Sequence, residues 1–519
     1  MGTKALLKNI WLLSLPVILT NLLQTSITII DMLMIGRLGP IAIAAAGMGN
    51  TIRLVVLISI LSVSGGAMSL MAQAKGSRDP HKMSFVTRQS LVAGVMLSIL
   101  IAIIGIIVTT PLLNFMDSGN DPQVVELGSW YLYVTFLATP FIILNFTTNR
   151  LMQGAGDMKT PLILTIILVI LNIAFNYIFI FGYGPIPAYG IVGAAMGMMI
   201  ARAIIAVIGI IIFYSGKNKV KILEGTYRPH YQMIKDILSI GVPSGIQGIF
   251  RHGSFIIVMS ILTATSLGTL GAAALSICFQ IESFATTLVL GLNITATAMI
   301  GQELGKWQPY EAYRKGTLLM YISFIAMAIL ITPLMIWSED LILLFDPSAN
   351  DTILEGGISY LHTNTLFLPI TAISMLLTGA LRGAGDTKPP MISTILFRNL
   401  TTVVFAYIFV FHFDMSYMGV WYAIIIGRIT DAIYMWFVWK AQNWKLVALK
   451  KTDIYRTHLK DLSKETIIKF LKQFRTPQMM KSKTVEVITL KGVTYTRPRS
   501  NVEVEFKNGT FSEVKSTET

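Results

Sequence analysis

The chain has 519 residues, 54% of them hydrophobic and 13% charged, with a formal net charge of +14. Soluble globular chains are about a quarter charged, so this composition excludes a water-soluble enzyme or binding module and points to a protein dissolved in lipid. One cysteine, Cys278, leaves no disulfide framework. The first apolar stretch lacks a small-residue cleavage site and is read as a retained span.

Apolar runs of about 20 residues, the length that crosses a bilayer, predict twelve spans. In chain order they fall near 10–35, 43–73, 90–112, 129–152, 161–182, 190–214, 236–263, 271–303, 316–337, 357–381, 390–412 and 418–440. The expected fold class is an all-α membrane protein. Span one contains "TIIDMLMIG", residues 28–36, with Asp31 five residues before Gly36 and so about 7 Å below the helix end. An ionised aspartate inside a span is costly, and the sequence sets no basic residue near it except Arg37 at the rim. Span five carries Asn172 and Asn176 one turn apart on one face, Asn176 six residues before Gly182. A carboxylate and two carboxamides thus share a depth. They are hard oxygen ligands suited to sodium, and a lone carboxylate can carry a proton instead.

The connections alternate in charge. One set carries Lys75, Arg78, Lys82, Lys159, Lys217, Lys219, Lys221, Arg228, Lys306, Arg314, Lys315, Arg382 and Lys388. The other set carries acids, including Asp117, Asp121, Glu126, Glu339, Asp340, Asp351 and Asp414, with Arg37 as its only base. Basic loops stay in the cytoplasm, so both termini are expected inside a cell membrane. The tail after Gln442 holds 16 basic and eight acidic residues, more than half of the net charge. Topology and an anionic inner leaflet account for that charge without a nucleic-acid partner.

The chain also repeats itself. "GAGDMKTP" at 154–161 returns as "GAGDTKPP" at 383–390, and "AQAKG" at 72–76 as "GQELG" at 301–305, both shifted by 229. Six spans per repeat make the repeats parallel, related by an axis along the membrane normal. The predicted architecture is two pseudo-twofold-related six-helix bundles around a central cleft. The first covers 1–221 and the second 222–441, and 442–519 forms a cytoplasmic basic tail. Such a cleft suits alternating access by a transporter better than a pore or an enzyme. The repeated turns end a helix at glycine and restart one at proline, and are read as structural. Arg202 and Arg428 recur in "GAAMGMMIAR" and "GVWYAIIIGR" and are read the same way.

Twelve spans in two parallel halves, the paired "GAGDxKxP" turns, "DMLMIGRLG" and "LNIAFNYIFIFG" together resemble the multidrug and toxic compound extrusion (MATE) family over about residues 5–440. The resemblance implies an antiporter that exports organic cations, drugs or metabolites against inward sodium or protons. It also implies a cation site, with sodium as a candidate ligand, at Asp31, Asn172 and Asn176. A hydroxyl that some relatives place on span six is Met198 here. Where some relatives carry acids in the second bundle, this chain has Arg251, eight residues after Pro243, and Thr371. A second cation site is therefore not expected. Arg251 and Arg398 instead make that half positive, as for an anionic or zwitterionic group.

Arg53 and Glu282 stand 229 residues apart on spans two and eight, where they could pair across the cleft or contact substrate. No GxxxxGK[ST] loop, HExxH or cysteine pair occurs, so neither ATP nor a cofactor is expected beyond the coupling ion. The expected partners are a small-molecule substrate and membrane lipids, and the expected state is a monomer. A flippase of lipid-linked saccharides from the same superfamily is the alternative. In the tail, 455–475 reads as a basic amphipathic helix. Residues 483–514 read as a small β unit with turns at Lys491-Gly492 and Asn508-Gly509.

Overall fold

The computed structural model describes residues 3–117, 122–216, 218–347, 349–445 and 447, together with strands at 485–490, 493–498, 503–507 and 510–515. The first lobe begins with α1 (Thr3–Gly36), α2 (Pro40–Ile52) and α3 (Leu54–Gly76), the last two forming one span interrupted at Arg53. It continues through α4 (Pro80–Asp117), α5 (Pro122–Leu137), α6 (Thr139–Gly154), α7 (Lys159–Phe181) and α8 (Gly190–Ser215). The second lobe holds α9 (Tyr231–Thr263), α10 (Gly268–Gly305), α11 (Pro309–Ile336) and the short α12 (Ser338–Phe345). Its tenth span is α13 (Asp351–Asn364), a 3-10 turn (Thr365–Phe367) and α14 (Leu368–Gly383). Its eleventh is α15 (Lys388–Ile392), a π-helical turn (Ser393–Leu400) and α16 (Thr401–Phe411), and α17 (Ser416–Ala441) closes it.

Among the described residues nine continuous helical segments, or ten with the bent pair α5 and α6, are long and apolar enough to cross a membrane. The α2–α3 pair and α17 complete the twelve-helix, two-lobe architecture. Arg428 and Asp431 lower the hydropathy of α17. The breaks have a common cause. Pro140 and Pro369, one repeat apart, lie in the first turns of α6 and α14, where the missing N–H is tolerated but a continuous helix would lose a hydrogen bond. Span four accordingly bends by 45° between α5 and α6.

The repeated turns are the same object twice. Gly156 and Gly385 take φ of +81° and +79°, a left-handed conformation that suits glycine. The following Asp157 and Asp386 each donate a backbone N–H, to Met152 and Leu381, at 2.9 Å. Asp157 Oδ1 then accepts from the N–H groups of Lys159 and Thr160, both at 3.2 Å, and so caps α7.

The lobes close against each other at the end that carries these turns. Gln73 of α3 donates to the carbonyl of Gly383 at 3.0 Å, and Gln302 of α10 to the carbonyl of Gly154 at 2.9 Å. Gly76 and Gly305 let this happen, since a Cβ on either would overlap the backbone oxygen of Gln302 or Gln73. Ile237 and Ile240 of α9 are buried in an apolar cluster of the first lobe, and Ser14 of α1 donates to Thr295 at 3.1 Å. The side-chain hydrogen bonds of Ser14, Ser69, Gln73 and Gln302, which join helices of the two lobes, all lie in this half.

Beyond Ala441 the packing continues: Trp444 is fully buried and stacks on Trp439 at 4.6 Å and 7°. The second lobe therefore extends past a boundary at 441. Strands β1 (Val485–Leu490) and β2 (Val493–Pro498) pair antiparallel, as do β3 (Glu503–Lys507) and β4 (Thr510–Lys515). The helix read over 455–475 lies outside the described residues.

Candidate functional site

In the first lobe α1 packs along α7, and this brings Asp31 to Asn176. Asn176 Nδ2 donates to Asp31 Oδ1 at 2.7 Å and reaches Asn172 Oδ1 at 3.5 Å. Both asparagines are buried, and Asp31 is part-buried. Gly197 of α8 makes the room, because a Cβ there would overlap Asn176 Oδ1. That oxygen is buried and accepts no hydrogen bond. An orphaned amide oxygen beside a carboxylate costs about 1–3 kcal/mol of desolvation unless a cation or water meets it. Its chemistry, with Asp31 and Asn172, is that of a hard-cation site. Met198 is buried in the neighbouring apolar cluster and adds no hydroxyl. Among the described residues no group of three His, Cys, Asp or Glu side chains could hold a metal.

The sequence leaves Asp31 with no base but Arg37. The fold corrects this, for the charges that act on it are those of Arg202 and Arg53. Arg53 stands at the break between α2 and α3. Arg202 comes from α8, with its guanidinium 5.6 Å from the ring of Phe146.

Glu282 also departs from expectation. Its Oε2 accepts from Arg428 Nη2 at 2.7 Å, with both side chains buried in the second lobe. Arg428 further donates to the Asn364 carbonyl at 2.9 Å and to Tyr360 Oη at 3.1 Å. The pairing of Glu282 with Arg53 across the cleft is thus replaced by one inside the second lobe, between spans eight and twelve. A repeat offset relates equivalent positions, and it carries no information on which neighbour a side chain meets.

Asp431 carries a further constellation that the sequence reading passed over. Ser374 donates to its Oδ2 at 2.6 Å and Ser393 to its Oδ1 at 2.5 Å, while Arg398 Nη1 stands 3.7 Å from Oδ2. The available signal was an acid three residues after Arg428 in an otherwise apolar run. Thr371 is buried, and its hydroxyl donates back to the Phe367 carbonyl at 3.4 Å. Arg251 is exposed, with Arg398 as its charged neighbour.

The sequence model of the MatE family matches residues 16–178 and 243–408, once in each lobe and well over half of the chain. The chain belongs to the MATE family. Among curated MATE-related proteins, a probable multidrug resistance protein NorM from Thermotoga maritima is 26% identical, covering 82% of this chain and 90% of its own length. A probable multidrug resistance protein YoeA from Bacillus subtilis is 24% identical, covering 84% and 95%. A solved structure described as the outward-facing conformation of a multidrug resistance MATE family transporter superposes with a TM-score of 0.78 at 25% identity, covering 85% of this chain and 96% of that one. Membership makes this chain a multipass membrane transporter that acts on small molecules.

Proposed function

We propose that the chain is a cation-coupled antiporter that exports small molecules by alternating access, with Asp31, Asn172 and Asn176 as the coupling site. The observation that carries this reading is the Asn176–Asp31 hydrogen bond at 2.7 Å beside an amide oxygen that has no partner. A sodium ion on those oxygens, or a proton on Asp31, neutralises the one acid of this site, and that charge change is what a gradient can act through. The names of the NorM and YoeA relatives support multidrug cargo. We place both termini in the cytoplasm, so that the closed, turn-bearing end faces inward. The conformation is then outward-facing, which agrees with the description of the superposed structure. Arg251 and Arg398 favour a second reading, a flippase of lipid-linked saccharides, whose phosphates such charges would hold.

The test is thermal unfolding of purified protein in sodium, potassium or acid. Saturating sodium, or lowered pH, stabilises the wild type by about 2–3 kcal/mol at 100 times the dissociation constant. It leaves Asp31→Asn unmoved. Equal stabilisation of both proteins contradicts the site.

A further inference from the structure

Most of the positive charge inside the second lobe is matched. Arg428 faces Glu282, while Lys306 and Lys315 both reach Glu303 at 2.8 Å. Arg251 and Arg398 are different. Among the described residues Asp431 is the one acid within ion-pair distance of Arg398, and both its oxygens already accept serine hydroxyls, while Glu282, the other acid acting on Arg398, is paired with Arg428. Among the described residues no carboxylate lies within ion-pair distance of Arg251.

Their positions follow from helix geometry. Gln247 of α9 donates to Thr394 Oγ1 at 2.6 Å and to the Pro390 carbonyl at 3.2 Å, which joins α9 to span eleven. These two spans run in the same direction. One turn beyond Gln247 is Arg251, and one turn beyond Thr394 is Arg398. The two arginines therefore leave their helices at the same level, one turn above a fixed hydrogen bond, and the charge of Arg398 acts on Arg251. Gly241, Gly245 and Gly248 turn the adjoining face of α9 onto α3, so Arg251 emerges where the two lobes part. Arg398 sits in the π-helical turn, a backbone irregularity often found at functional sites.

The positive surface continues toward the closed end. The charge of Arg251 acts on Arg382 of α14, and that of Arg382 on Arg150 of α6. Arg382 Nε is buried with no acceptor, and its side chain reaches the surface of Gly65 on α3. Like charges set together at membrane depth repel and are expensive to desolvate. Planar guanidinium pairs are, however, the usual receptor for carboxylate and phosphate.

We propose that Arg251 and Arg398 form an anion site in the cleft, holding a carboxylate or phosphate of the cargo between them, with Arg382 and Arg150 extending the same surface toward the closed end. The inference rests on the transporter reading and names its substrate class: zwitterions or anions, rather than cations alone. When the anion binds, Arg398 exchanges its 3.7 Å contact with Asp431 for the ligand, and the two serines keep Asp431 satisfied.

Equilibrium binding of rhodamine 110 and of its methyl ester, rhodamine 123, tests this without any gradient. The dyes differ only in a carboxylate. Phospholipid-free detergent micelles are compared for wild type, Arg251→Gln, Arg251→Lys and Asp31→Asn. The expected result is a preference of about tenfold or more for rhodamine 110. Arg251→Gln abolishes it, Arg251→Lys partly restores it, and Asp31→Asn retains it. Failure of the coupling site would leave this preference intact, so the two readings fail separately. If neither dye is preferred but a polyprenyl phosphate raises the melting temperature in an Arg251-dependent way, the anion site stands and its ligand is lipid-borne. Equal affinity for both dyes, with no Arg251-dependent response to the phosphate lipid, overturns the proposal.

Discussion

Gln73 donates to the carbonyl of Gly383, and Gln302 to the carbonyl of Gly154. Each glutamine and each glycine lies 229 residues from its counterpart, so the two bonds are one contact applied twice by the pseudo-twofold axis, each reaching into the other lobe. The repeated glycine turns therefore do more than reverse the chain. Their last helical carbonyls are the acceptors that hold one end of the cleft shut.

Removing both donors weakens this closure. Gln73→Ala with Gln302→Ala deletes two net hydrogen bonds worth about 1 kcal/mol each, enough to repopulate a state separated by a few kcal/mol. Spin labels at 159 and 388 should show a longer, broader distance distribution in the double variant. Gly76→Val, whose side chain overlaps the Gln302 carbonyl, should push further the same way. Unchanged distances in both variants would show that the closure is held by other contacts.

Glu282 and Arg428 behave as a buried pair. Removal of one partner strands the other charge and costs about 3–5 kcal/mol, so Glu282→Gln should lower the melting temperature sharply. A double-mutant cycle between 282 and 428 should return a large interaction energy, and one between 282 and 53 almost none. Strong coupling between 282 and 53 would restore a contact across the cleft.

Gly197 is the least conspicuous residue of the proposed coupling site. Gly197→Ala places a methyl group against Asn176 Oδ1 and against the α7 backbone at Phe175 and Asn176, so it should push α7 off α8 and move Asn176 relative to Asp31. The variant should melt at a lower temperature, and the protein that remains folded should still bind rhodamine 110 yet lose sodium- or acid-induced stabilisation. A full ion response in Gly197→Ala would show that the Asn176 oxygen takes no part.

The orientation is read from loop charge and can be checked directly. Cysteine placed at 351 should react with an impermeant reagent added outside, whereas cysteine at 159 or 388 should react only after the membrane is opened. External labelling at 159 or 388 reverses the assignment.

Much of this architecture was legible because helix length, loop charge and the repeat are all local properties of the chain. The common depth of Asp31 and Asn176 followed from counting residues to the helix ends, and α1 does pack on α7. Lateral neighbours are another matter. Nothing in the periodicity says that spans eight, ten and twelve meet, so Glu282, Tyr360 and Arg428 gave no sign of their association. The charges of Arg53 and Arg202 act on Asp31 from a helix break and a third helix, neither of which a hydropathy pattern marks. Asp431 was hidden by its apolar surroundings, which are also what make its two serine partners necessary.

The charge state of Asp31 is proposed to couple an ion gradient to export. The most direct measurement is dye efflux from proteoliposomes under an imposed sodium gradient and, separately, an imposed pH gradient, with wild type and Asp31→Asn compared. Wild type should respond to at least one gradient, and Asp31→Asn, folded and still able to bind dye, to neither. Efflux by Asp31→Asn at the wild-type rate under the same gradient would contradict this role.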